Sequence, residues 1–302
     1  KGDNMNQSPI FIVGVGRSGT TLIRQMINSH SKIAIPYESH FITKYINQLL
    51  EYGNLADNAN FERLLKDLCA EPILKNWDWA PSVQDMISSN PNRDLASILS
   101  HFWGLYALKH GKTMWGDKSD YLDRMYQIRQ LFPNAKFVHI VRDGRDVANS
   151  VMKMPWGPTN IKQAAEWWAT HVRLGCAMGR MLDSEQYMEV RYEDLVADPE
   201  LKLKEICEFL EVEFEPGMLE FYRDAKQFVP QHLLYQHYNA DKAANSSRVE
   251  AWRNELSALD CVIFQQIAKD VLIDLDYPII EHRVNPLRTK LRSLQLQLGL
   301  AR

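Results

Sequence analysis

Short apolar runs alternate along the chain with segments of helical periodicity. The runs Pro9 to Val13, Ala135 to Val141 and Tyr187 to Val190 are mostly apolar, as expected for strands buried on both faces of a sheet. Segments with apolar residues at three- and four-residue steps accompany them, among them Thr20 to Ser29 and Ile161 to Leu182. This alternation predicts an α/β fold with a parallel β-sheet flanked by helices on both faces.

Three further segments depart from this alternation. Residues 40–110 carry apolar residues at helical spacing between Asn- and Pro-containing breaks, and we interpret them as a helical insertion after the first strand–helix unit. Residues 225–247 form a long polar loop, a feature that is often functional in a compact domain. The tail, residues 286–302, predicts an amphipathic helix that packs against the body or faces a partner, and we favour packing against the body. We expect one domain over residues 1–302.

Composition argues against several classes of protein. The net charge is −3 over 302 residues, whereas a nucleic-acid-binding protein is expected to carry a basic excess. The apolar run from Pro9 to Val15 is too short for a signal-peptide core or a membrane span. The four cysteines, Cys69, Cys176, Cys207 and Cys261, include no CxxC pair. We therefore expect free thiols and a reducing, cytoplasmic compartment.

The first predicted strand runs into the glycine loop Gly14-Val15-Gly16-Arg17-Ser18-Gly19-Thr20-Thr21, and a helix follows. Backbone N–H groups converge at such a turn with the positive end of the helix, which makes a phosphate site. The spacing is that of the P-loop pattern GxxxxGK[ST], but Thr20 stands at the lysine position and Arg17 is the only cation of the loop. We expect a P-loop-like sheet that binds a 5'-phosphate with a charged leaving oxygen. A nucleotide kinase or ATPase with a degenerate loop is the main alternative.

A second strand tip repeats this arrangement. The run Phe137 to Val141 ends in Arg142-Asp143-Gly144-Arg145, and a helix that contains Ser150 follows. Arg142 and Ser150 offer donors suited to a phosphate, because guanidinium presents a planar fork of N–H groups. Ligands of parallel α/β sheets collect at the carboxyl ends of strands, so two such tips predict a ligand with two separated phosphates. We interpret Arg145 as part of a surface ion pair with Asp143 or Asp146, and His139 as a core or sheet-face histidine.

These elements resemble those of sulfotransferases that use 3'-phosphoadenosine 5'-phosphosulfate (PAPS), in the branch that includes protein-tyrosine sulfotransferases and many bacterial enzymes. Arg17-Ser18-Gly19-Thr20-Thr21-Leu22 is similar to the loop that binds the 5'-phosphosulfate, and Arg142 with Ser150 to the element that binds the 3'-phosphate. Arg191-Tyr192-Glu193-Asp194-Leu195 resembles the turn near the adenine, which Tyr192 would contact. Ser246-Ser247-Arg248 resembles a late loop in which Ser247 and Arg248 return to the 3'-phosphate. The resemblance spans residues 9–255 and implies PAPS as co-substrate, with no metal.

The same resemblance implies which residues carry the transfer. In this branch a glutamate about one helix and one turn after the first loop is the general base, and Glu38 occupies that position. Lys118, in Gly116-Asp117-Lys118-Ser119, matches a cation that acts with Arg17 near the transferring sulfuryl group. The sequence departs from the branch around Glu38, where Tyr37-Glu38-Ser39-His40 replaces paired glutamates. His40 therefore stays an alternative base.

The implied reaction is an in-line displacement at sulfur, in which an acceptor hydroxyl replaces 3',5'-adenosine diphosphate. The acceptor stays open among a small molecule, a glycan, a peptide and a carrier-bound acyl group, and so does the oligomeric state. Six tryptophans are candidates for an acceptor pocket, although such residues more often fill a core: Trp77, Trp79, Trp103, Trp156, Trp167 and Trp168. A non-catalytic nucleotide-binding module is a second alternative function.

Overall fold

The computed structural model describes residues 8–223, 244, 246–281 and 284–298. Its strands are β1 (Ile10–Val13), β2 (Ile33–Ala34), β3 (Met114–Lys118), β4 (Lys136–Val141) and β5 (Tyr187–Arg191). Its helices are α1 (Thr20–Asn28), α2 (Ile42–Tyr52), α3 (Asn58–Cys69), α4 (Val83–Ser89), α5 (Leu95–Lys109), α6 (Met125–Leu131), α7 (Gly144–Val151), α8 (Ile161–Gly179), α9 (Tyr192–Ala197), α10 (Pro199–Phe209), α11 (Trp252–Glu255), α12 (Ala258–Asp274) and α13 (Pro286–Gln297). Most of the predicted polar loop, residues 225–247, lies outside the described residues.

The five strands form one parallel sheet in the order β2-β3-β1-β4-β5. The central strand is β1, whose Ile12 is in register with Lys118 of β3 and Val138 of β4. The predicted α/β fold with a parallel sheet is thus confirmed. The sequence analysis missed β2, because a strand of two residues leaves no periodic pattern to detect. The helical insertion therefore follows β2 and not directly the first strand–helix unit.

Both faces of the sheet are buried, which explains the unbroken apolar run of β1. Successive side chains of a strand point to opposite faces. Ile10 and Ile12 join a core that includes residues of α1, α9 and α10, whereas Phe11 and Val13 join a larger core under the insertion, α6, α7, α8 and α12. Because every side chain of β1 packs in one of the two cores, no position of the strand before Gly14 can hold a polar side chain.

The insertion consists of α2 to α5, and its core is aromatic. Trp77 and Trp103 are buried there, and the ring of Trp103 stacks on that of Trp115 with centroids 5.5 Å apart. Trp168 of α8 is also buried. Three of the six candidate pocket tryptophans therefore fill the core, while Trp156 is 51% exposed.

The predicted amphipathic helix of the tail is α13, but most of its leucines do not have the favoured packing role. Thr289 and Leu296 are buried against the body, whereas four other leucines are exposed: Leu287, Leu291, Leu294 and Leu298. All four cysteines are free, as expected. Within the described ranges, no helix combines the length and apolarity that a bilayer crossing requires. The organisation of residues 1–302 as one domain stays a prediction.

Candidate active site

The predicted site residues follow the strands along one edge of the sheet. Because all strands are parallel, their carboxyl ends meet at the same edge. Read across the sheet, that edge carries Glu38 beyond β2, Lys118 at the end of β3, Arg17 beyond β1, Arg142 beyond β4 and Tyr192 beyond β5. Adjacent strands are about 4.8 Å apart, so the row extends roughly 19 Å. One elongated ligand can reach all five positions.

The loop between β1 and α1 has the form of an anion site. Arg17 and Gly19 adopt left-handed φ angles of 74° and 100°, and the Ser18 N–H donates to the Val15 carbonyl at 3.1 Å. Gly19 is the N-cap of α1 and has no side chain with which to bond the first amides of the helix. The buried Ser18 hydroxyl has no hydrogen-bond partner among the described residues. A buried donor at a helix N-terminus is suited to a phosphate oxygen.

Tyr192 explains why position 19 must be glycine. A Cβ at Gly19 would lie 2.5 Å from Cδ2 of the Tyr192 ring, in addition to straining a positive φ. Burial raises the pKa of the Tyr192 hydroxyl, so it stays protonated. The ring therefore forms a neutral wall beside the first loop.

Arg142 joins the second loop to three other segments. Its Nη1 donates to the Arg17 carbonyl at 3.1 Å and its Nη2 to the Arg248 carbonyl at 2.6 Å. The guanidinium carbon lies 4.3 Å from the centroid of the Tyr192 ring. Its Nε is buried and lacks a partner within the part of the chain that the structure describes. Burial raises the pKa of nearby Asp146 to about 6, although Arg142 opposes that shift.

The two anion-type loops are in direct contact. Arg17 Nε donates to Ser150 Oγ at 3.0 Å, so Ser150 reaches the first loop as well as the second. Ser247 is exposed in a short 3-10 helix. The Arg248 guanidinium donates to Glu255 Oε1 at 2.9 Å, and it is the backbone oxygen of Arg248 that meets Arg142. The assignment of Ser247 and Arg248 to a phosphate stays a prediction.

At the other end of the row, Glu38 lies between Lys118 and His40. Lys118 Nζ donates to Glu38 Oε1, and His40 Nε2 is bonded to Glu38 Oε2 at 2.8 Å. Burial alone would raise the pKa of Glu38, but the charge of Lys118 and the hydrogen bond from His40 outweigh it and hold the pKa well below its usual range. The same hydrogen bond raises the pKa of His40. Glu38 is therefore a carboxylate.

A cluster that the sequence analysis missed holds the turn of Glu38 against the tip of β3. Ser119 Oγ accepts the backbone N–H groups of Ser39 at 3.0 Å and His40 at 3.1 Å. The Ser39 hydroxyl donates to Asp117 and lies 2.9 Å from the Tyr121 hydroxyl oxygen. We call Ser39, Asp117, Ser119 and Tyr121 the clamp. The sequence does indicate the clamp at one place, since Asp117 and Ser119 are polar residues at the tip of a buried strand. Such a tip rarely carries two polar side chains without a role.

Residues 9–216, more than two thirds of the chain, match the model of the Sulfotransferase family. The chain belongs to the sulfotransferase family. Its P-loop-like first loop is accordingly that of a sulfotransferase, and the kinase or ATPase alternative is set aside.

Individual relatives agree with this assignment. The chain is 26% identical to protein-tyrosine sulfotransferase A of Caenorhabditis elegans over 72% of its length. It spans 53% of that relative and 40% of the protein-tyrosine sulfotransferase of Drosophila melanogaster. The sulfotransferase domain of the Synechococcus olefin synthase is 25% identical with a TM-score of 0.61, covering 91% of this chain and 97% of the domain. Mouse sulfotransferase SULT7A1, complexed with PAP, has a TM-score of 0.50 at 14% identity and covers 100% of this chain and 91% of its own.

Two residues near the sulfotransferase loops have structural roles. Arg145 pairs with Asp143, one of the two predicted aspartates, but the pair is buried and not at the surface. Arg145 is fully buried, with its guanidinium 2.7 Å from Asp143 Oδ2 and 3.9 Å from the centroid of the Trp252 ring. His139 is buried in β4, with Nδ1 2.6 Å from the Tyr187 hydroxyl oxygen, and burial lowers its pKa to about 3. Neither side chain is available to a ligand at the strand tips.

Proposed function

We propose that this protein transfers the sulfuryl group of PAPS to an acceptor hydroxyl. The observation that carries the proposal is the contact between two anion-type loops at adjacent strand tips. Arg142 donates to the Arg17 carbonyl, and Arg17 donates to Ser150. A nucleotide with a 5'-phosphosulfate in the first loop and a 3'-phosphate at the second would lie across this contact, with its base toward Tyr192.

The chemistry of the donors present fits such a ligand. Ser18 Oγ in the first loop and Arg142 Nε in the second are buried donors with no partner among the described residues, and an anionic oxygen would satisfy each. The amides of Ser18 to Thr21 and the N-terminus of α1 would hold the 5'-phosphate, and Ser150, Ser247 and Arg248 would assist Arg142 at the 3'-phosphate. PAP, the nucleotide of the mouse fold neighbour, is the product that donor use would leave.

We assign the general base to Glu38 and not to His40. Glu38 holds the position of the family's base, whereas the His40 ring is bonded through Nε2 to the Glu38 carboxylate, which raises the pKa of His40. Glu38 is a carboxylate with one oxygen facing Lys118 and the other facing His40. Glu38 would take the proton of the acceptor hydroxyl as its oxygen bonds to sulfur, and this assistance is worth roughly 10²–10⁴ in rate.

The donor supplies an activated sulfuryl group and a phosphate leaving oxygen. Lys118 and Arg17 would stabilise the negative charge that develops on these oxygens, as preorganised electrostatic groups. Ser150 positions the Arg17 guanidinium through its hydroxyl. In the balanced step, the acceptor O–S bond forms, the S–O bond to the phosphate breaks with its electron pair on the phosphate oxygen, and the proton goes to Glu38.

Two tryptophans flank the first loop where an acceptor would approach. A Cβ at Gly16 would lie 3.1 Å from Trp156 and 3.8 Å from Trp167. Trp156 is 51% exposed, and its ring lies beside Gly16 of the first loop. We propose that these rings bound the acceptor site. The relatives named for protein tyrosine make a phenolic hydroxyl one acceptor class to test first.

The nucleotide assignment is tested by calorimetry with 3',5'-adenosine diphosphate, 5'-AMP and ATP. The wild-type protein should prefer the bisphosphate, and Arg142→Met should weaken it by about 10- to 100-fold, since a hydrogen bond to a charged group is worth about 1.5–3 kcal/mol. Binding of 5'-AMP should change much less. Arg173→Met, at an exposed ion pair with Asp270, is the matched control. No preference for the bisphosphate would refute the proposal.

The base is tested with labelled PAPS and the best acceptor from a screen of phenols, sugars, peptides and acyl alcohols. Glu38→Gln should lower kcat by roughly 10²–10⁴, while its affinity for 3',5'-adenosine diphosphate stays near that of the wild type. His40→Gln should lower kcat far less. The reverse ranking of the two variants would transfer the role to His40.

A further inference from the structure

The last described helix, α13, is attached to the body by one narrow face. Thr289 and Leu296 are its buried side chains. The helix packs on α8 and α12, and Lys162 of α8 donates to Gln297 Oε1 at 3.0 Å. The attachment therefore uses the side of α13 on which positions 289 and 296 lie.

The opposite side of α13 is a stripe of exposed leucines. Leu287, Leu291, Leu294 and Leu298 follow one another at steps of four, three and four residues and are 76%, 58%, 52% and 61% exposed. At about 100° per residue they lie within roughly 60° of arc, centred about 180° from the buried pair. We call these four residues the leucine stripe. Four aligned leucines form a continuous apolar line, unlike the scattered exposed leucines elsewhere on the surface.

The charges of α13 are of one sign. The helix carries Arg288, Lys290 and Arg292 and no acidic residue. At the same helical spacing, Arg288 lies about 100° to one side of Leu287 and Lys290 about 60° to the other. The leucine stripe is therefore bordered by a cation on each side. This local excess contrasts with the net charge of −3 of the whole chain.

We propose that the leucine stripe and its flanking cations bind an anionic lipid surface, with α13 lying in the plane of the membrane. Apolar side chains on one face with Lys and Arg beside them are the pattern of interfacial helices, whose long basic side chains reach the headgroups while the leucines enter the acyl boundary. The helix is about 18 Å long, too short to cross a bilayer. Body attachment on the opposite face leaves the stripe directed outward.

A second copy of the chain fits this face less well. Two such helices placed face to face would bring Arg288 and Lys290 from each chain together with no acidic residue on either helix to offset them. The charge pattern therefore favours an anionic bilayer.

The proposal is tested by flotation of the full chain with vesicles of phosphatidylcholine alone and of phosphatidylcholine with phosphatidylglycerol. We expect binding to the anionic vesicles that weakens at high salt. The double variant Leu291→Gln/Leu294→Gln should lower the partition coefficient by at least about 10-fold, because it removes apolar area that would be buried in the acyl boundary. The double variant Arg288→Gln/Lys290→Gln should lower it by on the order of 25-fold, at roughly five-fold per charge.

Leu201→Gln on α10 is the matched control, because Leu201 is 54% exposed and outside the stripe. Its partition should equal that of the wild type. All variants should keep the wild-type Tm, since none removes a buried side chain. Equal flotation with neutral and anionic vesicles, or no flotation with either, would overturn the proposal. So would a dimer in light scattering that Leu291→Gln/Leu294→Gln dissociates, because the stripe would then be covered by a second copy.

Discussion

Replacing Ser119 by alanine should separate the positioning of Glu38 from the stability of the fold. Ser119 is 5% exposed, and its hydroxyl accepts two backbone N–H groups, from Ser39 at 3.0 Å and His40 at 3.1 Å. The same hydroxyl donates to Asp117 at 3.3 Å. Ser119→Ala removes the acceptor of both N–H groups, which belong to the two residues that follow Glu38.

The magnitude follows from the burial of the donors. An unsatisfied buried donor destabilises a fold by about 1–3 kcal/mol. Ser39 is buried, whereas His40 is exposed and its N–H can turn to water. We therefore expect the free energy of unfolding to fall by about 1–3 kcal/mol, mainly through Ser39. The loosened turn should also displace the Glu38 carboxylate, and a misplacement near 1 Å lowers kcat by about 10²-fold.

The assay combines urea unfolding, nucleotide calorimetry and steady-state kinetics on the folded protein. Ser119→Ala should lower kcat, with the affinity for 3',5'-adenosine diphosphate unchanged, and Ser119→Thr should recover part of kcat. Ser257→Ala removes the N-cap of α12 and should destabilise by about 1 kcal/mol without changing kcat. If Ser119→Ala lost stability but kept the wild-type kcat, the clamp would be structural only.

Two further substitutions test the tertiary contacts around the strands. Gly19→Ala should weaken nucleotide binding at least about 10-fold, because its Cβ would meet Tyr192 at 2.5 Å. The control is Gly111→Ala, where φ is 70° and no atom lies within 4 Å of the added Cβ. This variant has only the backbone strain and should bind the nucleotide normally. The pKa of His139 is about 3 in the folded protein and 6.5 in the unfolded chain, so only the unfolded chain binds a proton as pH falls below 6.5. The free energy of unfolding should therefore fall by about 2 kcal/mol at pH 5. In urea titrations, His139→Asn should remove this loss of unfolding free energy at pH 5, and the control His171→Asn should retain it. If the loss persisted in His139→Asn, the buried neutral His139 would not be its cause.

The parts of the site that lie within one strand–loop–helix unit were predictable from the sequence. Gly14 to Thr21 and Arg142 to Ser150 each combine a strand, a turn and a helix start within about a dozen residues, so local pattern is enough to identify an anion loop. Glu38 and Lys118 came from the resemblance to a family and not from local chemistry. The clamp escaped because its hydrogen bonds join residues about 80 positions apart.

The sequence by itself determined most of the strands and helices, the two strand–loop–helix units and the family pattern, because these depend on residues that are neighbours along the chain. Only the tertiary structure decided the strand order that aligns Glu38, Lys118, Arg17, Arg142 and Tyr192, and the contact of Arg142 with the Arg17 carbonyl. It also decided which apolar residues are covered. Periodicity shows that a residue lies on an apolar face, but whether that face finds a partner depends on distant segments, which is why Trp103 is buried and the leucines of α13 are not.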